Sequence, residues 1–219
     1  ATGEVYMRVA MAEQVFRNLL ANLGFGRFHF HVTPLWCYAE YLIEEEISYT
    51  EKRQAVRRAK AERCQQSTGL LADEKADRAK LKEMATMRNV LRNVLGAPLY
   101  HAAGLELPTP ISDLMDKART VLPNLRPAGE LAPYVGEVLH ELEHGADVIL
   151  NIAPTGCMVS TMGEALTPRL RQTNRNHNGR IQHLFSAEGE LDDELLTLAV
   201  LKTVGPERYF RLQEASLAP

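Results

Sequence analysis

The feature that most constrains this chain is "ADVILNIAP" (146–154), a short and almost unbroken run of apolar residues. Pro154 and Gly156, both typical of turns, stand at its end and just beyond it. A run of this length is typical of a strand that is covered on both faces, as in parallel sheets flanked by helices. We therefore predict a buried strand at 146–154.

Strand patterns and helix patterns alternate on both sides of this run. The sequence predicts strands at 4–10, 27–34, 146–154 and 180–188, and helices at 11–26, 130–145, 157–172 and 192–204. This alternation implies parallel pairing through right-handed crossovers. The predicted fold class is α/β, with a small doubly wound, flavodoxin-like parallel sheet of four strands in the order 2-1-3-4.

A long, charged segment follows the second predicted strand. Residues 35–103 are expected to form a helical lobe inserted into a sheet domain built from 1–34 and 104–219, and the proline-rich stretch 104–130 reads as a surface connector. Residues 52–92 hold twelve Lys/Arg and five Asp/Glu, which gives a local charge of +7 (12 − 5). This patch fits a solvated helical surface better than a site for phosphates or an acidic partner.

Composition narrows the possible classes of function. The net charge of −3 gives no field that attracts nucleic acid or anionic membrane, and no apolar run is long enough to span a bilayer. The three cysteines do not make a disulfide framework, so we expect a cytoplasmic protein. Strand-like sequence begins almost directly after Ala1, which favours a C-terminal fragment of a longer protein.

The stretch "HELEH" (140–144) matches the H-E-x-x-H pattern of zinc peptidases. In such enzymes two histidines four residues apart bind zinc from one helix face, and the glutamate is the general base. Here Glu143 places a charge inside the motif, and no convincing third ligand follows Gly145. We therefore considered His140 and His144 as metal ligands and rejected them in favour of a solvated helix face.

The stretch "APTGCMVST" (153–161) carries a stronger signal for chemistry. A thiol at Cys157 would lie at the start of a helix, where the helix dipole and unpaired N–H groups favour the thiolate. Ligands bind beyond the carboxyl ends of strands in open α/β sheets, so thiolate chemistry or metal ligation fits this position. A small buried cysteine that only fills space is the competing interpretation. Cys37, also just after a predicted strand, is a weaker second candidate.

Three motifs in order along the chain resemble one known family. They are "GEVYMR" near the start, "NIAPTGCM" at the apolar run and "IQHLFSAEGELDDE" after the fourth predicted strand. This set is similar to the D-component family of 2-hydroxyglutaryl-CoA dehydratase. That family includes 2-hydroxyacyl-CoA dehydratase and benzoyl-CoA reductase subunits and the C-terminal domains of CoA-enzyme activase-related fusion proteins. Its members show a G-E-[IV]-Y-x-R strand and a P-F-G-C-M turn; here Thr155 replaces the phenylalanine.

The resemblance implies an iron–sulfur cluster, such as 4Fe-4S, held by cysteines between two flavodoxin-like halves. An ATP-dependent activase reduces the cluster, which then drives radical dehydration or reduction of an acyl-CoA thioester. Carried over residue by residue, Cys157 is the cluster ligand. The residues of this chain expected to line the substrate crevice are Gly3, Glu4, Arg8, Pro154, Gly156, Met158 and Glu188.

The resemblance therefore predicts a domain that supplies one cysteine to a cluster and acts only as part of a larger protein. Its expected partners are the remainder of its own chain or a homologous subunit, the activase, and acyl-CoA. The alternative from a different class is a cluster-free domain that binds a partner within a multidomain, activase-like protein. A zinc metallopeptidase ranks third.

Overall fold

The computed structural model divides into two compact units, one made from the described parts of 1–32 and 114–219 and the other from those of 33–113. We call the first the α/β unit and the second the helical unit. The structure describes residues 11–18, 23, 35–64, 70–123, 130–173, 180–187, 190–205 and 210.

The helical unit is built mainly from helices. Its elements are α2 (Leu35–Cys64), α3 (Leu70–Asn89), a π-helical segment (Val90–Gly96) and α4 (Ala97–Ala102). Helices α2 and α3 pack along each other in antiparallel directions. Oppositely charged side chains pair between them, as Glu44 does with Arg88 and Arg53 with Asp77. In the described part of this segment, residues 35–64 and 70–102 are helical. That 35–103 is a lobe inserted into a sheet domain stays a prediction.

The α/β unit combines helices with a small sheet. Residues 11–18 form helix α1, and the later elements are α5 (Ile111–Ala118, which begins in the helical unit), α6 (Leu131–Glu143), β1 (Ile149–Pro154), α7 (Met158–Thr173), β2 (Ile181–Ser186) and α8 (Asp193–Val204). Strands β1 and β2 are parallel, with Ile149 opposite Ile181 and Pro154 opposite Ser186.

The predicted fold class is wrong. Within the described ranges the chain is mostly helical, and its sheet has two parallel strands rather than the four of a flavodoxin-like fold. The strands predicted at 146–154 and 180–188 are present as β1 and β2, and they are neighbours as expected. The strands predicted at 4–10 and 27–34 lie outside the described residues. The alternation of strand and helix patterns predicted too large a sheet, because most of the described residues belong to helices.

The two faces of the sheet are covered differently. On one face Leu150, Ile152 and Leu184 pack against a buried cluster contributed mainly by α1 and α8, whose members are Met11, Val15, Leu23, Leu191, Leu196 and Val200. The other face carries Asn151 and His183 and is covered by α7. The run at 146–154 is apolar because β1 has a helix on both sides.

Residues 104–130 were predicted to be a connector on the surface, but part of this segment is buried. Its helix α5 and the turn after it are buried at Ile111, Leu114, Met115, Ala118, Val121 and Leu122. Helix α6 comes very close to α5, because a Cβ added to Gly136 would lie 2.0 Å from the carbonyl oxygen of Leu114. The prolines bracket a short amphipathic helix that belongs to the core.

Candidate functional site

The turn between β1 and α7 lies where both strands of the sheet end. The Thr155 N–H donates to the Ser186 carbonyl at 2.7 Å, which extends the strand pairing by one residue. Gly156 adopts φ +83°, a left-handed conformation in which a side chain is strained. The Cys157 N–H then donates to the Pro154 carbonyl at 3.0 Å and closes the turn. Sequence "PTGC" thus forms a tight turn that leads directly into a helix.

Cys157 is the residue immediately before the first residue of α7. Its carbonyl accepts hydrogen bonds from the N–H of Thr161 at 3.0 Å and from the Thr161 hydroxyl at 2.8 Å. Cys157 is half-buried, Thr155 and Gly156 are exposed, and Met158 is 53% exposed. The structure therefore brings four predicted site residues together around an open turn, and the thiol is free.

Other predicted site residues are elsewhere or are not described. Cys37 belongs to α2 of the helical unit and is 2% exposed, so its free thiol is buried. Gly3, Glu4, Arg8 and Glu188 lie outside the described residues, so their proposed place in the crevice stays a prediction.

The motif at 140–144 ends helix α6. The predicted buried stripe of that helix is confirmed, since Val135, Val138, Leu139 and Leu142 are all buried. The two histidine rings lie 4.0 Å apart, and the Nδ1 of His144 is 2.7 Å from the His140 carbonyl. Burial and the neighbouring His144 lower the pKa of His140. Glu143 pairs with Lys117 of α5.

A buried polar network that sequence analysis did not find joins the sheet to α7. The Asn151 Nδ2 donates to the Ser160 carbonyl at 3.0 Å and lies 2.9 Å from Nδ1 of His183. The Nε2 of His183 is 2.8 Å from the Thr167 hydroxyl, which in turn donates to the Gly163 carbonyl at 3.1 Å. Each group in this chain of hydrogen bonds has a partner.

This network fixes the protonation state of His183. Because Asn151 offers an N–H to Nδ1, that nitrogen must accept, and the ring proton belongs on Nε2, where Thr167 accepts it. Burial lowers the pKa of His183, and the positive charge of Arg171 adds to the effect, against an opposing contribution from Glu164. His183 is therefore a neutral structural link that holds α7, and with it the Cys157 turn, against the sheet.

The basic segment at 52–92 is largely compensated within the helical unit. Its bases pair with acids across α2 and α3 and the π-helical segment, namely Arg53 with Asp77, Arg57 with Asp73 and Asp77, Arg58 with Glu74, Lys80 with Glu46, Arg88 with Glu44, and Arg92 with Glu40. The paired acids of α2, Glu40, Glu44 and Glu46, precede the segment over which the +7 was counted. Over residues 33–113 twelve Lys/Arg meet twelve Asp/Glu, so the net charge is zero (12 − 12).

Within the ranges that the structure describes, no three His, Cys, Asp or Glu side chains are grouped in a way that could hold a metal ion. None of the described helices is both long and apolar enough to cross a membrane. Comparisons with known protein families, with curated proteins and with solved structures find no match to this chain.

Proposed function

We propose that the β1–α7 turn supplies Cys157 as one ligand of an iron–sulfur cluster in a 2-hydroxyacyl-CoA dehydratase-like or CoA-enzyme activase-related protein. The observation that supports this most is the position of the thiol, half-exposed in a tight turn at the carboxyl end of a parallel strand pair. Clusters of this kind are held by several cysteines. The described residues supply one at this place, so the other ligands must come from the remainder of the protein or from a homologous subunit.

The chain's own contribution is to hold and orient the sulfur. The turn places Cys157 beside the first N–H groups of α7, which have no acceptor within the helix and stabilise negative charge. Asn151 and His183 fix that helix end against the sheet through the Ser160 carbonyl. When bound, a cluster would supply one-electron chemistry, driven by an ATP-dependent activase and directed at an acyl-CoA thioester in the cytoplasm.

Reconstitution with iron and sulfide tests this proposal in the full-length gene product together with any homologous subunit. The variant Cys157→Ser should lose the visible absorbance of the cluster, and Cys64→Ser should keep it, because Cys64 lies at the end of α2 in the helical unit. A full cluster in the Cys157→Ser protein would refute the proposal.

A second candidate function is a cluster-free domain that binds a protein partner. The observation that favours it is the set of apolar side chains exposed along α2. If cluster absorbance never forms and Cys157→Ser leaves partner binding intact, this second function replaces the first.

A further inference from the structure

The buried network under α7 ends at both sides on backbone carbonyls, which can only accept hydrogen bonds. At one end the Asn151 Nδ2 donates to the Ser160 carbonyl at 3.0 Å. At the other end the Thr167 hydroxyl donates to the Gly163 carbonyl at 3.1 Å, which uses its only proton. The ring of His183 lies between these ends, so it must donate to Thr167 through Nε2 and accept from Asn151 through Nδ1. A neutral imidazole, with one donor and one acceptor, satisfies every group.

A second proton on the His183 ring breaks this pattern. It would sit on Nδ1 and face the Asn151 Nδ2, which lies 2.9 Å away and is also a donor. A half-turn of the Asn151 amide would offer Oδ1 to the ring, but the same oxygen would then face the Ser160 carbonyl at the place where Nδ2 now donates. A hydrogen bond to the charged ring is stronger than one between neutral groups, so the bond to Ser160 is the one that is lost.

The first turn of α7 depends on that bond for its attachment to the sheet. Met158 and Thr161 are exposed, Val159 is half-buried, and Ser160 is the buried residue of these four. Because Ser160 is polar, the turn gains little stability from apolar burial, and segments of this kind open at low cost.

The later part of α7 has a different attachment. Gly163 packs so closely against α6 that a Cβ added to it would lie 2.4 Å from the Tyr134 ring, and Leu170 is fully buried. Loss of the Asn151–Ser160 bond therefore frees the first turn and leaves the rest of the helix in place.

The surroundings of His183 set the pH at which the ring takes its second proton. The charged groups that face it are Glu164 and Arg171 of α7, whereas its neighbour on β1 is the uncharged Asn151 and α8 lies on the other face of the sheet. Burial lowers the pKa of His183, an effect that Glu164 opposes and Arg171 increases. The ring is therefore neutral at pH values above the ordinary histidine value of about 6.5 and is protonated only below it.

We propose that His183 is a proton-sensitive switch, in which protonation of Nδ1 breaks the Asn151–Ser160 hydrogen bond and releases the first turn of α7, together with the Cys157 turn before it, from the sheet. At neutral pH the turn is attached, and at mildly acidic pH it opens while the core of the α/β unit stays folded. This inference does not depend on whether Cys157 holds a cluster.

Amide hydrogen exchange of the whole chain, read by NMR, tests the proposal. The amides of residues 161–164 report on the first turn, because they donate to its carbonyls as Thr161 does to Cys157. Between about pH 7.5 and about pH 5, on either side of the ordinary histidine value, their protection should fall about five- to tenfold after correction for the intrinsic pH dependence of exchange. The midpoint should coincide with the titration of the His183 ring, and the amides of 135–139 in α6 should keep their protection.

Three variants separate the switch from other effects of pH. In His183→Asn the side-chain Oδ1 accepts from Asn151 in place of Nδ1 but does not titrate, so the pH step should disappear. Asn151→Asp cannot donate to the Ser160 carbonyl, so residues 161–164 should be poorly protected at both pH values. The matched control is His140→Gln, which removes another histidine of lowered pKa and should keep the step. Circular dichroism verifies that each variant keeps its helices.

Protection of 161–164 that does not change with pH in the parent chain would overturn the proposal. So would a fall shared equally by α6, a step that persists in His183→Asn, or an Asn151→Asp chain as well protected as the parent at pH values above the step.

Discussion

Replacing Thr167 by valine removes one hydroxyl from the buried network under α7 and keeps the shape of the side chain. Thr167 is 5% exposed; its hydroxyl oxygen accepts the Nε2 proton of His183, and its O–H donates to the Gly163 carbonyl. The substitution leaves a largely buried ring N–H without its acceptor. A lost hydrogen bond that strands a buried partner costs about 1–3 kcal/mol of unfolding free energy. In a chain of this length each kcal/mol corresponds to roughly 2–4 °C in Tm.

Thr161 provides a matched control on the same helix. Its hydroxyl also donates to the carbonyl four residues earlier, that of Cys157, but the residue is exposed and water can replace the bond. Thr161→Val should change the unfolding free energy by about 0.5 kcal/mol or less. Urea and thermal denaturation of both variants measure the difference. Equal effects of the two substitutions, or a Thr167→Val protein as stable as the parent, would refute the account of the network.

Three other predictions concern stability. Arg92→Met should destabilise the chain by about 3–5 kcal/mol in urea denaturation, because it strands Glu40, a carboxylate that is 1% exposed and whose pKa burial already raises. The pKa of His183 is lowered in the folded chain, whereas an unfolded histidine has a pKa of about 6.5. Between these two values the unfolded chain binds the proton more readily, so the free energy of unfolding should fall as the pH drops below about 6.5. Above about pH 6.5 the contribution of His183 to stability should be constant. Gly136→Ala should destabilise by about 1–3 kcal/mol in thermal unfolding, because the clash with the Leu114 backbone outweighs the gain of about 1 kcal/mol in helix propensity.

Each of these has its own check. Arg78, which is 71% exposed in its pair with Glu74, should tolerate methionine with little effect, and an equal loss in both arginine variants would contradict the prediction. The pH dependence should shrink in His183→Gln, although the lowered pKa of His140 contributes with the same sign. A Gly136→Ala chain that is more stable than the parent would show that α5 and α6 move apart at low cost.

The parts of the structure that were predictable are those fixed by neighbours in sequence. The apolar run before Pro154 defines β1, Gly156 defines the turn, and Asp192 caps α8 by accepting the N–H groups of Glu194 and Leu195 at 2.8 and 3.2 Å. The strand before the Cys157 turn and the helix after it could therefore be predicted from the sequence alone.

The parts that were missed depend on contacts between distant residues. Asn151 and His183 are 32 residues apart in the sequence. The sequence shows that each is a polar residue in a strand, but it does not show which residue its side chain contacts. The compensation of the basic segment 52–92 was also not foreseen, because several of its acidic partners, such as Glu44, precede that segment along α2. The number of strands depends on which segments pair, which periodicity alone does not determine.

The central claim is that Cys157 is a ligand of an iron–sulfur cluster. The most direct test is to alkylate the full-length protein before and after iron–sulfide reconstitution and to follow Cys157 by mass spectrometry. We predict that Cys157 reacts readily in the apo-protein, while the 2% exposed Cys37 reacts only after unfolding, and that reconstitution then protects Cys157. A Cys157 that reacts no faster than Cys37, or that reacts equally fast after reconstitution, would contradict its assignment as a cluster ligand.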